Sequence, residues 1–262
     1  MNISSTFNAA NQLNKTQADQ NTQLQRISSG QRINSAKDDA AGLSISTRLD
    51  SQQRSTQMAS RNSLDAISRT QVEGGALSTV NEDLQRIREL KVSQGNGILN
   101  DQDKAAIQSE IDQRAENISS VFSDTQFNQK NVFEEGRLDF QIGANAGQTL
   151  GIDTVNMSQM FKDMAIESGA DFSLEDIDNA LTQVSSRQSE LAAVENRLSS
   201  NVQFLALKNE NNQAANSRIK ATDIAQAVSE KTKTDIMSQV QISVQAQSNT
   251  SSKYVLKLLE SQ

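Results

Sequence analysis

The clearest alternation of apolar and polar residues runs from Leu174 to Leu205. Two series of positions repeat every seven residues, and eight of the ten are apolar: Leu174, Leu181, Gln188, Glu195, Val202, and Ile177, Val184, Leu191, Leu198, Leu205. This period predicts a long helix that packs lengthwise against other helices. At about 1.5 Å per residue it extends on the order of 50 Å, so it needs helical partners along its length.

Two further segments space their apolar residues as helices do, from about Leu43 to Val92 and from Ile107 to Phe122. The first is long enough to be a partner of the helix at 174–205. Gly74 and Gly75 lie inside it, and each costs a helix about 1 kcal/mol relative to Ala. We therefore expect the helix either to break there or to meet a closely packed backbone.

A different pattern follows after residue 123. Leu138, Phe140 and Ile142 alternate with polar residues, and the glycine-containing stretch 143–147 supplies a turn before alternation resumes. This pattern predicts a β-hairpin at about 132–152.

Each end of the chain carries one narrow apolar stripe on a polar helix. Such a helix is too weak to remain folded alone. If the two ends pair with each other, apolar surface still remains for further copies of the chain to cover. The sequence therefore predicts self-assembly through residues of both ends: Ile3, Phe7, Leu13, Leu24, Ile27, Ile236, Val240, Val244, Val255, Leu258 and Leu259.

The composition of the 262 residues excludes most enzyme chemistry, because the chain has no His and no Cys. It lacks an imidazole base, a thiol nucleophile, a disulfide and the usual zinc ligands, and we expect neither enzymatic activity nor a metal or other cofactor. Apolar residues make up 35% of the chain and, even with its 11 Gly, stay below the roughly 45–50% of compact domains. Long helices joined along narrow seams suit this composition.

The net charge of -7 comes without a basic face, so nucleic acid is not an expected partner. No apolar run approaches the roughly 20 residues of a membrane span, so we expect no membrane insertion. The polar start lacks the pattern of a secretory signal peptide. Taken alone, these features indicate a cytosolic protein unless export uses another route.

Two short motifs favour a structural role over a ligand site. Lys37, Asp38 and Asp39 lie in a polar turn, where such residues usually begin a helix with local pairing. The glycines of 143–151 are followed by neither a helix nor a Lys, so this segment predicts a hairpin turn and not a phosphate-binding loop.

Six segments together resemble the sequences of bacterial flagellins. They cover nearly the whole chain in that family's order: 28–46 (SSGQRINSAKDDAAGLSIS), 85–90 (QRIREL), 125–128 (TQFN), 140–152 (FQIGANAGQTLGI), 192–197 (AAVENR) and 255–259 (VLKLL). With the patterns above, the resemblance implies a mainly α fold: a long antiparallel, coiled-coil-like helical bundle with one small β-hairpin region and paired N- and C-terminal helices.

The resemblance also implies how the chain is divided and what it does. Residues 1–42 and 222–262 would form an inner domain, and 43–221 a bundle domain bearing the hairpin. The short connector 153–172 stands where flagellins usually carry variable outer domains. The implied function is a structural subunit of the flagellar filament, secreted through the flagellar type III apparatus without a cleaved signal, that assembles outside the cell and transmits torque for motility.

The implied partners are other copies of the chain in a helical homopolymer, a flagellar export chaperone, and the cap and junction proteins. A host innate receptor is a further implied partner of the monomer, because five residues match or adjoin positions by which many flagellins engage one: Gln85, Arg86, Glu89, Leu90 and Glu110. The residues alone favour a plainer interpretation, a solvated helix face with pairs three or four residues apart.

The chain departs from the family at Gln129, where flagellins usually have Gly, and this change is expected to alter the turn before Val132. Three alternatives to a filament subunit stay open at this point. They are the junction protein between hook and filament, a secreted adhesin or ligand, and a cytosolic coiled-coil regulator.

Overall fold

The computed structural model describes residues 3–163 and 172–259. Its elements are, in chain order, α1 (Ile3–Ser29), α2 (Ala40–Gln94), α3 (Asp101–Asp124), β1 (Gln126–Phe127), β2 (Lys130–Asn131), β3 (Gly136–Gln141), β4 (Thr149–Thr154), α4 (Met157–Asp163), α5 (Leu174–Lys220) and α6 (Ile224–Leu259). The predicted mainly α fold with a small β region and paired terminal helices is confirmed.

The chain forms two compact units. The terminal unit comprises Met1–Ser51 and Asn211–Gln262, and the middle unit comprises Gln52–Glu210. Both limits of the middle unit fall inside the bundle domain of 43–221 that the sequence predicts. α2 and α5 contribute residues to both units.

Local capping explains where the helices begin and end. Asn100 and Asp103 form a reciprocal capping box at the start of α3. Ser173 and Asp176 make the equivalent pair of bonds at the start of α5, with Asp176 Oδ2 accepting from the Ser173 amide at 2.8 Å. α1 ends before Gly30, whose φ of 66° is a conformation that glycine adopts without strain.

The middle unit is an antiparallel bundle of α2, α3 and α5. Contacts between α2 and α5 run in opposite directions along the two helices, from Arg88 with Asp178 to Ser63 with Asn201. The core lies between these helices. It contains these buried residues: Leu77, Val80, Leu84 and Ile87 of α2, Ile111, Ile118 and Phe122 of α3, and Ile177, Val184 and Leu191 of α5.

The predicted seam of α5 is half right. The series of Ile177, Val184, Leu191, Leu198 and Leu205 is buried throughout. In the second series, Leu174 is exposed and the other four residues are only partly buried. Ala180 and Arg187, which directly precede Leu181 and Gln188 of that series, are buried instead. Side chains on neighbouring elements, and not local apolarity, fix this second edge of the seam.

α2 continues without interruption through Gly74 and Gly75, so the expected break is wrong. The expected close backbone is wrong as well, because a Cβ built at either glycine meets no atom within 4 Å. Both glycines therefore weaken the helix without a packing benefit in the isolated chain.

The β region contains the predicted hairpin and one smaller hairpin. β3 and β4 pair antiparallel with Phe140 opposite Leu150, and Gly147 has a φ of 81° in the connecting turn. The hairpin packs on α2 and α5 through Leu150, Ile152, Ala66 and Leu198. The turn prediction is confirmed for Gly143 and Gly147, which lie between the strands, whereas Gly151 lies in β4 opposite Asp139.

The segment expected to be an unpatterned connector holds α4 and contributes to the core. Phe161 of α4 is fully buried and stacks edge-on against Phe122, with ring centroids 5.0 Å apart. Met157 and Phe172 are buried in the same cluster. Spacing missed Met157 and Phe161 because α4 has only seven residues, too few for a period to show.

Candidate assembly surface of the terminal helices

α1 and α6 pair along their length in the terminal unit. Their inner ends are fixed by main-chain bonds: the Arg32 amide donates to the Lys220 carbonyl at 2.6 Å, and the Thr222 amide donates to the Gly30 carbonyl at 3.2 Å. The Arg32 guanidinium adds a bond to the Ile219 carbonyl at 2.9 Å. The two helices are thus held antiparallel at the point where each meets the rest of the unit.

The seam between α1 and α6 is largely polar. Thr16 of α1 and Ser238 of α6 are buried. Asp235 accepts a hydrogen bond from Gln20 of the opposite helix and one from Lys231 at 2.6 Å. These bonds lower the pKa of Asp235, the bond from Lys231 being the main cause. Where their side chains are described, the two helices therefore meet through these polar groups, and Ala227 of α6 is buried as well.

Most of the large apolar residues of α6 whose side chains the structure describes are exposed. Ile236, Val240 and Val244 are 57%, 55% and 58% exposed, and their spacing of four places them on one face. Other large apolar residues of the same helix are also exposed: Ile224, Val228, Met237, Ile242 and Tyr254. We call Ile236, Val240 and Val244 the α6 stripe.

The other predicted assembly residues divide into two groups. Leu24 is exposed, whereas Leu13 and Ile27 are partly buried. The remaining five lie on α1 and α6, and their side chains are outside those that the structure describes: Ile3, Phe7, Val255, Leu258 and Leu259.

The residues matched to a receptor surface lie at the antiparallel junction of α2 and α3. Arg86 Nε donates to Glu110 Oε1 at 2.9 Å and its Nη1 donates to Glu89 Oε2 at 3.1 Å. These bonds, the one to Glu110 first, raise the pKa of Arg86. Gln85 is exposed beside them and bonds Asn81. Gln85, Arg86 and Glu89 are thus exposed and Glu110 is partly exposed, and Arg86, Glu89 and Glu110 form one cluster.

Leu90 differs from the other predicted receptor residues. It is only 6% exposed and belongs to the core of the middle unit. Its side chain packs in the core, so it contributes to the bundle beneath the exposed cluster.

A buried charge cluster in the middle unit escaped the sequence reasoning. Glu73 accepts hydrogen bonds from Arg69 Nη1 at 3.1 Å and from Arg187 Nε at 2.8 Å, and all three side chains are almost fully buried. Arg69 also donates to the Val132 carbonyl at 3.0 Å. Burial lowers the pKa of Arg69, opposed by the charge of Glu73. The only signal was the spacing of four between Arg69 and Glu73, which is also common on solvated helices.

The acidic motif before α2 makes local bonds only to its own turn and helix. Asp38 Oδ2 accepts from the Ser35 hydroxyl and from the Asn34 and Ser35 amides, and these bonds lower the pKa of Asp38. Asp39 accepts from the Gly42 amide at 2.8 Å and so caps α2. The expected role as a helix start is confirmed.

The part of the chain that the structure describes offers neither a cluster of metal-ligating side chains nor a membrane-spanning helix. Within 3–163 and 172–259, the acidic side chains form no group of three that could hold a metal ion. In the same part of the chain, every helix is too short or too polar to cross a membrane.

Comparison with known proteins agrees with the architecture. The family model for the bacterial flagellin N-terminal helical region matches residues 2–136, and the model for the C-terminal helical region matches residues 174–259. The crystal structure of Bacillus cereus flagellin has a TM-score of 0.50 at 20% identity, covering 55% of this chain and 88% of that one, which is a likeness of fold.

Curated relatives extend over almost the entire chain. A flagellin of Halalkalibacterium halodurans is 39% identical over 245 residues, with 90% of each chain covered. A flagellin of Bacillus subtilis is 36% identical over 296 residues, with 97% of each covered. A flagellar filament core protein of Brachyspira hyodysenteriae is 34% identical over 279 residues, with 98% of each covered. On these matches, the chain belongs to the bacterial flagellin family.

Proposed function

We propose that this chain is a structural subunit that polymerises into a bacterial flagellar filament through its terminal helices. The observation that carries the proposal is the α6 stripe, three β-branched apolar side chains left more than half exposed while α6 uses polar residues toward α1. Fully burying one such side chain contributes about 1.5–3 kcal/mol. Covering the stripe with other copies recovers part of that free energy in every subunit.

The exposed stripe also explains why the chain would need many copies and not one partner. A helix pair with apolar residues on its outer side presents the same surface in every molecule, and repeated head-to-tail contacts between unlike surfaces produce open helical polymers. Residues 155–173 separate β4 from α5 and leave no space for an outer domain. We infer a comparatively thin, smooth filament.

Secretion and the accessory partners follow from the same proposal. A subunit that polymerises outside the cell must leave it unpolymerised, and we propose export through the flagellar type III apparatus. An export chaperone would cover the terminal helices before export, and the cap and junction proteins would meet the same surfaces at the filament's ends.

Substitutions on the α6 stripe test the proposal. Ile236→Asp with Val240→Asp places two charges on the stripe, so we expect polymerisation to be lost while far-UV circular dichroism of the monomer stays close to that of the wild type. Gln239→Asp adds a charge to an exposed position of the same helix outside the stripe and should still polymerise. Electron microscopy of concentrated protein gives the answer, and normal filaments from the double variant would contradict the proposal.

Recognition of the monomer by a host innate receptor is a second proposal. The exposed Arg86, Glu89 and Glu110 cluster spans two adjacent helices and offers both signs of charge to a partner. Arg86→Ala should weaken binding of the monomer to such a receptor in surface plasmon resonance. Arg88→Ala is the matched control, because Arg88 is equally exposed and pairs with Asp178 on the other side of the helix. Equal losses from both variants would argue against the Arg86 surface.

A further inference from the structure

The loop between α2 and α3 contains the only Asn-Gly pair of the sequence, Asn96–Gly97. Both residues are exposed. The Asn96 amide bonds the Ser93 carbonyl at 3.0 Å, and the Leu99 amide bonds the Asn96 carbonyl at 3.2 Å. The loop is thus an ordered turn in which the Asn96 side chain stays accessible to water.

A hydrogen bond within the turn to the Asn96 side-chain oxygen affects how readily a nucleophile adds to the side-chain amide. The Ile98 amide donates to Asn96 Oδ1 at 3.2 Å. The amide carbon of the side chain, Cγ, therefore has a hydrogen-bond donor on its oxygen and the Gly97 nitrogen next in the chain. A donor at that oxygen stabilises negative charge that develops on it when a nucleophile adds to the carbon.

Gly97 leaves room for the backbone to move. A Cβ built on Gly97 meets no atom within 4 Å, and the residue has no side chain of its own to obstruct rotation of the peptide toward Cγ. A neighbouring nucleophile that needs only a small rotation reacts as if at high concentration.

We propose that Asn96 is a site of spontaneous deamidation through a cyclic imide with Gly97. The Gly97 nitrogen loses its proton and bonds to Asn96 Cγ, and the bond from Cγ to the side-chain nitrogen breaks, so that ammonia leaves. Water then opens the five-membered ring. Cleavage of the new bond at Cγ gives an ordinary aspartate at this position, and cleavage at the Asn96 main-chain carbonyl gives isoaspartate, with the chain continuing through the former side chain.

Either product changes the loop. Each replaces a neutral amide with a carboxylate just beyond the C-terminal end of α2, where the partial charge of the helix is already negative. Isoaspartate also lengthens the main chain by one methylene in the turn. The modification would therefore accumulate with the age of the molecule and mark this turn in particular.

The neighbouring Gln94–Gly95 pair supplies an internal comparison. Gln94 is also followed by a glycine, but its side chain is one methylene longer than that of Asn, so cyclisation would need a six-membered ring. Gln94 also donates to Gln108 of α3 at 3.0 Å, which holds its amide away from the loop backbone. Asn145 provides a second comparison, because it lies in a turn but is followed by Ala146.

The experiment stores full-length protein in neutral buffer and follows it by peptide mapping with mass spectrometry, using isoaspartyl methyltransferase labelling to detect the isomer. We expect conversion at Asn96 to both products, faster than at Asn145 or Gln94. Gly97→Ala should slow it roughly tenfold or more, because a Cβ hinders the approach to Cγ. Gly95→Ala is the matched control in the same loop and should leave the rate unchanged.

Two results would overturn the inference. One is conversion at Asn96 no faster than at Asn145. The other is a Gly97→Ala rate equal to that of Gly95→Ala, since the attack by the Gly97 nitrogen would then not be limiting. A Cβ at Gly97 meets no atom within 4 Å, and a Cβ at Gly95 makes ordinary contact with the Val92 carbonyl oxygen at 3.5 Å, so both variants should fold. Circular dichroism melting of both variants checks that neither change of rate comes from unfolding.

Discussion

Glu73 of α2 and Arg187 of α5 are joined at 2.7 Å although 114 residues separate them in the chain. Their side chains are 1% and 8% exposed. Arg69 adds a second cation to the same carboxylate, and Glu190, at the exposed edge, pairs with Arg187 at 3.2 Å. The middle unit thus contains a charged cluster at a point where its helices would otherwise meet through apolar side chains.

Removing the central carboxylate should strongly destabilise the middle unit. Glu73→Ala leaves Arg69 and Arg187 buried without their counter-ion, and breaking a buried pair in this way typically costs about 3–5 kcal/mol. Urea unfolding followed by far-UV circular dichroism measures the loss. Glu190→Ala is the control, because Glu190 is mostly exposed and its pair contributes about 1 kcal/mol or less. Equal shifts in the two unfolding midpoints would contradict the assigned role of the cluster.

A triple apolar variant of the same cluster tests whether the ion pairs themselves stabilise the middle unit or only fill space in its core. Replacing all three buried residues, with Arg69→Met, Glu73→Leu and Arg187→Met, removes the desolvation cost together with the attraction. Such replacements of buried ion clusters are often neutral or stabilising. We expect the triple variant to be more stable than Glu73→Ala in the same urea experiment, and a triple variant that is less stable would show that the ion pairs themselves hold the bundle together.

The glycines inside α2 predict a gain in stability. Gly75 is exposed, helical and free of neighbours at the position of a Cβ. Gly75→Ala should stabilise the middle unit by about 0.5–1 kcal/mol, because Ala has less backbone freedom to lose on folding. The urea midpoint of the single variant measures this. Gly42→Ala serves as the opposite case, since its Cβ would lie 2.5 Å from Asp39 Oδ2, and a gain there would refute the steric reasoning.

The long helices could be predicted from the sequence because their apolar spacing persists over many turns, whereas the seven-residue α4 could not. The second edge of the α5 seam could not, because its buried positions are polar or small. Asn201 is partly buried there and donates to the Ile142 carbonyl at 2.9 Å, and Arg187 is buried against Glu73. Both partners lie on other elements, far away in the chain. A count of apolar residues along one helix contains no information about them.

The assembly surface of the terminal helices was likewise predictable only in part. The spacing of Ile236 and Val240 predicted one face of α6, and both are on the exposed side. The polar seam toward α1 was not predictable, because Gln20 and Asp235 are ordinary surface residues unless the partner helix is known. The burial of Leu90 was not predictable for the converse reason: a sequence match does not distinguish a residue that contacts a partner from one that packs beneath it.

The turn between β1 and β2 gives a further stability prediction. Asn128 and Gln129 have φ values of 52° and 62°, the left-handed pair of conformations of a two-residue hairpin turn. A residue with a long side chain such as Gln is strained there by about 1–2 kcal/mol. Gln129→Gly, which restores the residue usual in flagellins, should stabilise the middle unit by about 1 kcal/mol in urea unfolding.

Asn128→Gly is the matched control for that turn, because Asn tolerates the left-handed region better than Gln does. Its gain should be clearly smaller than that of Gln129→Gly. Equal gains would mean that the flexibility of the unfolded chain, and not strain at Gln129, sets the effect.

The α1–α6 pair should depend on pH through Asp235. Its bonds from Lys231 and Gln20 hold the pKa of Asp235 below its ordinary value of 3.8, so the carboxylate stabilises the folded pair above that pH. This contribution is lost as the pH falls through the lowered pKa, because the protonated form binds Lys231 poorly.

Asp235→Asn removes the contribution at every pH. The difference in melting temperature between wild type and variant, followed by circular dichroism, should therefore be largest near neutral pH and shrink below about pH 4. Added salt should reduce it at neutral pH, since both groups reach solvent. Glu230→Gln makes the same change of charge on α6 away from α1 and controls for the overall charge of the helix. If the difference in melting temperature between wild type and Asp235→Asn stayed constant from neutral to acid pH, the assigned role of the Asp235 carboxylate would be excluded.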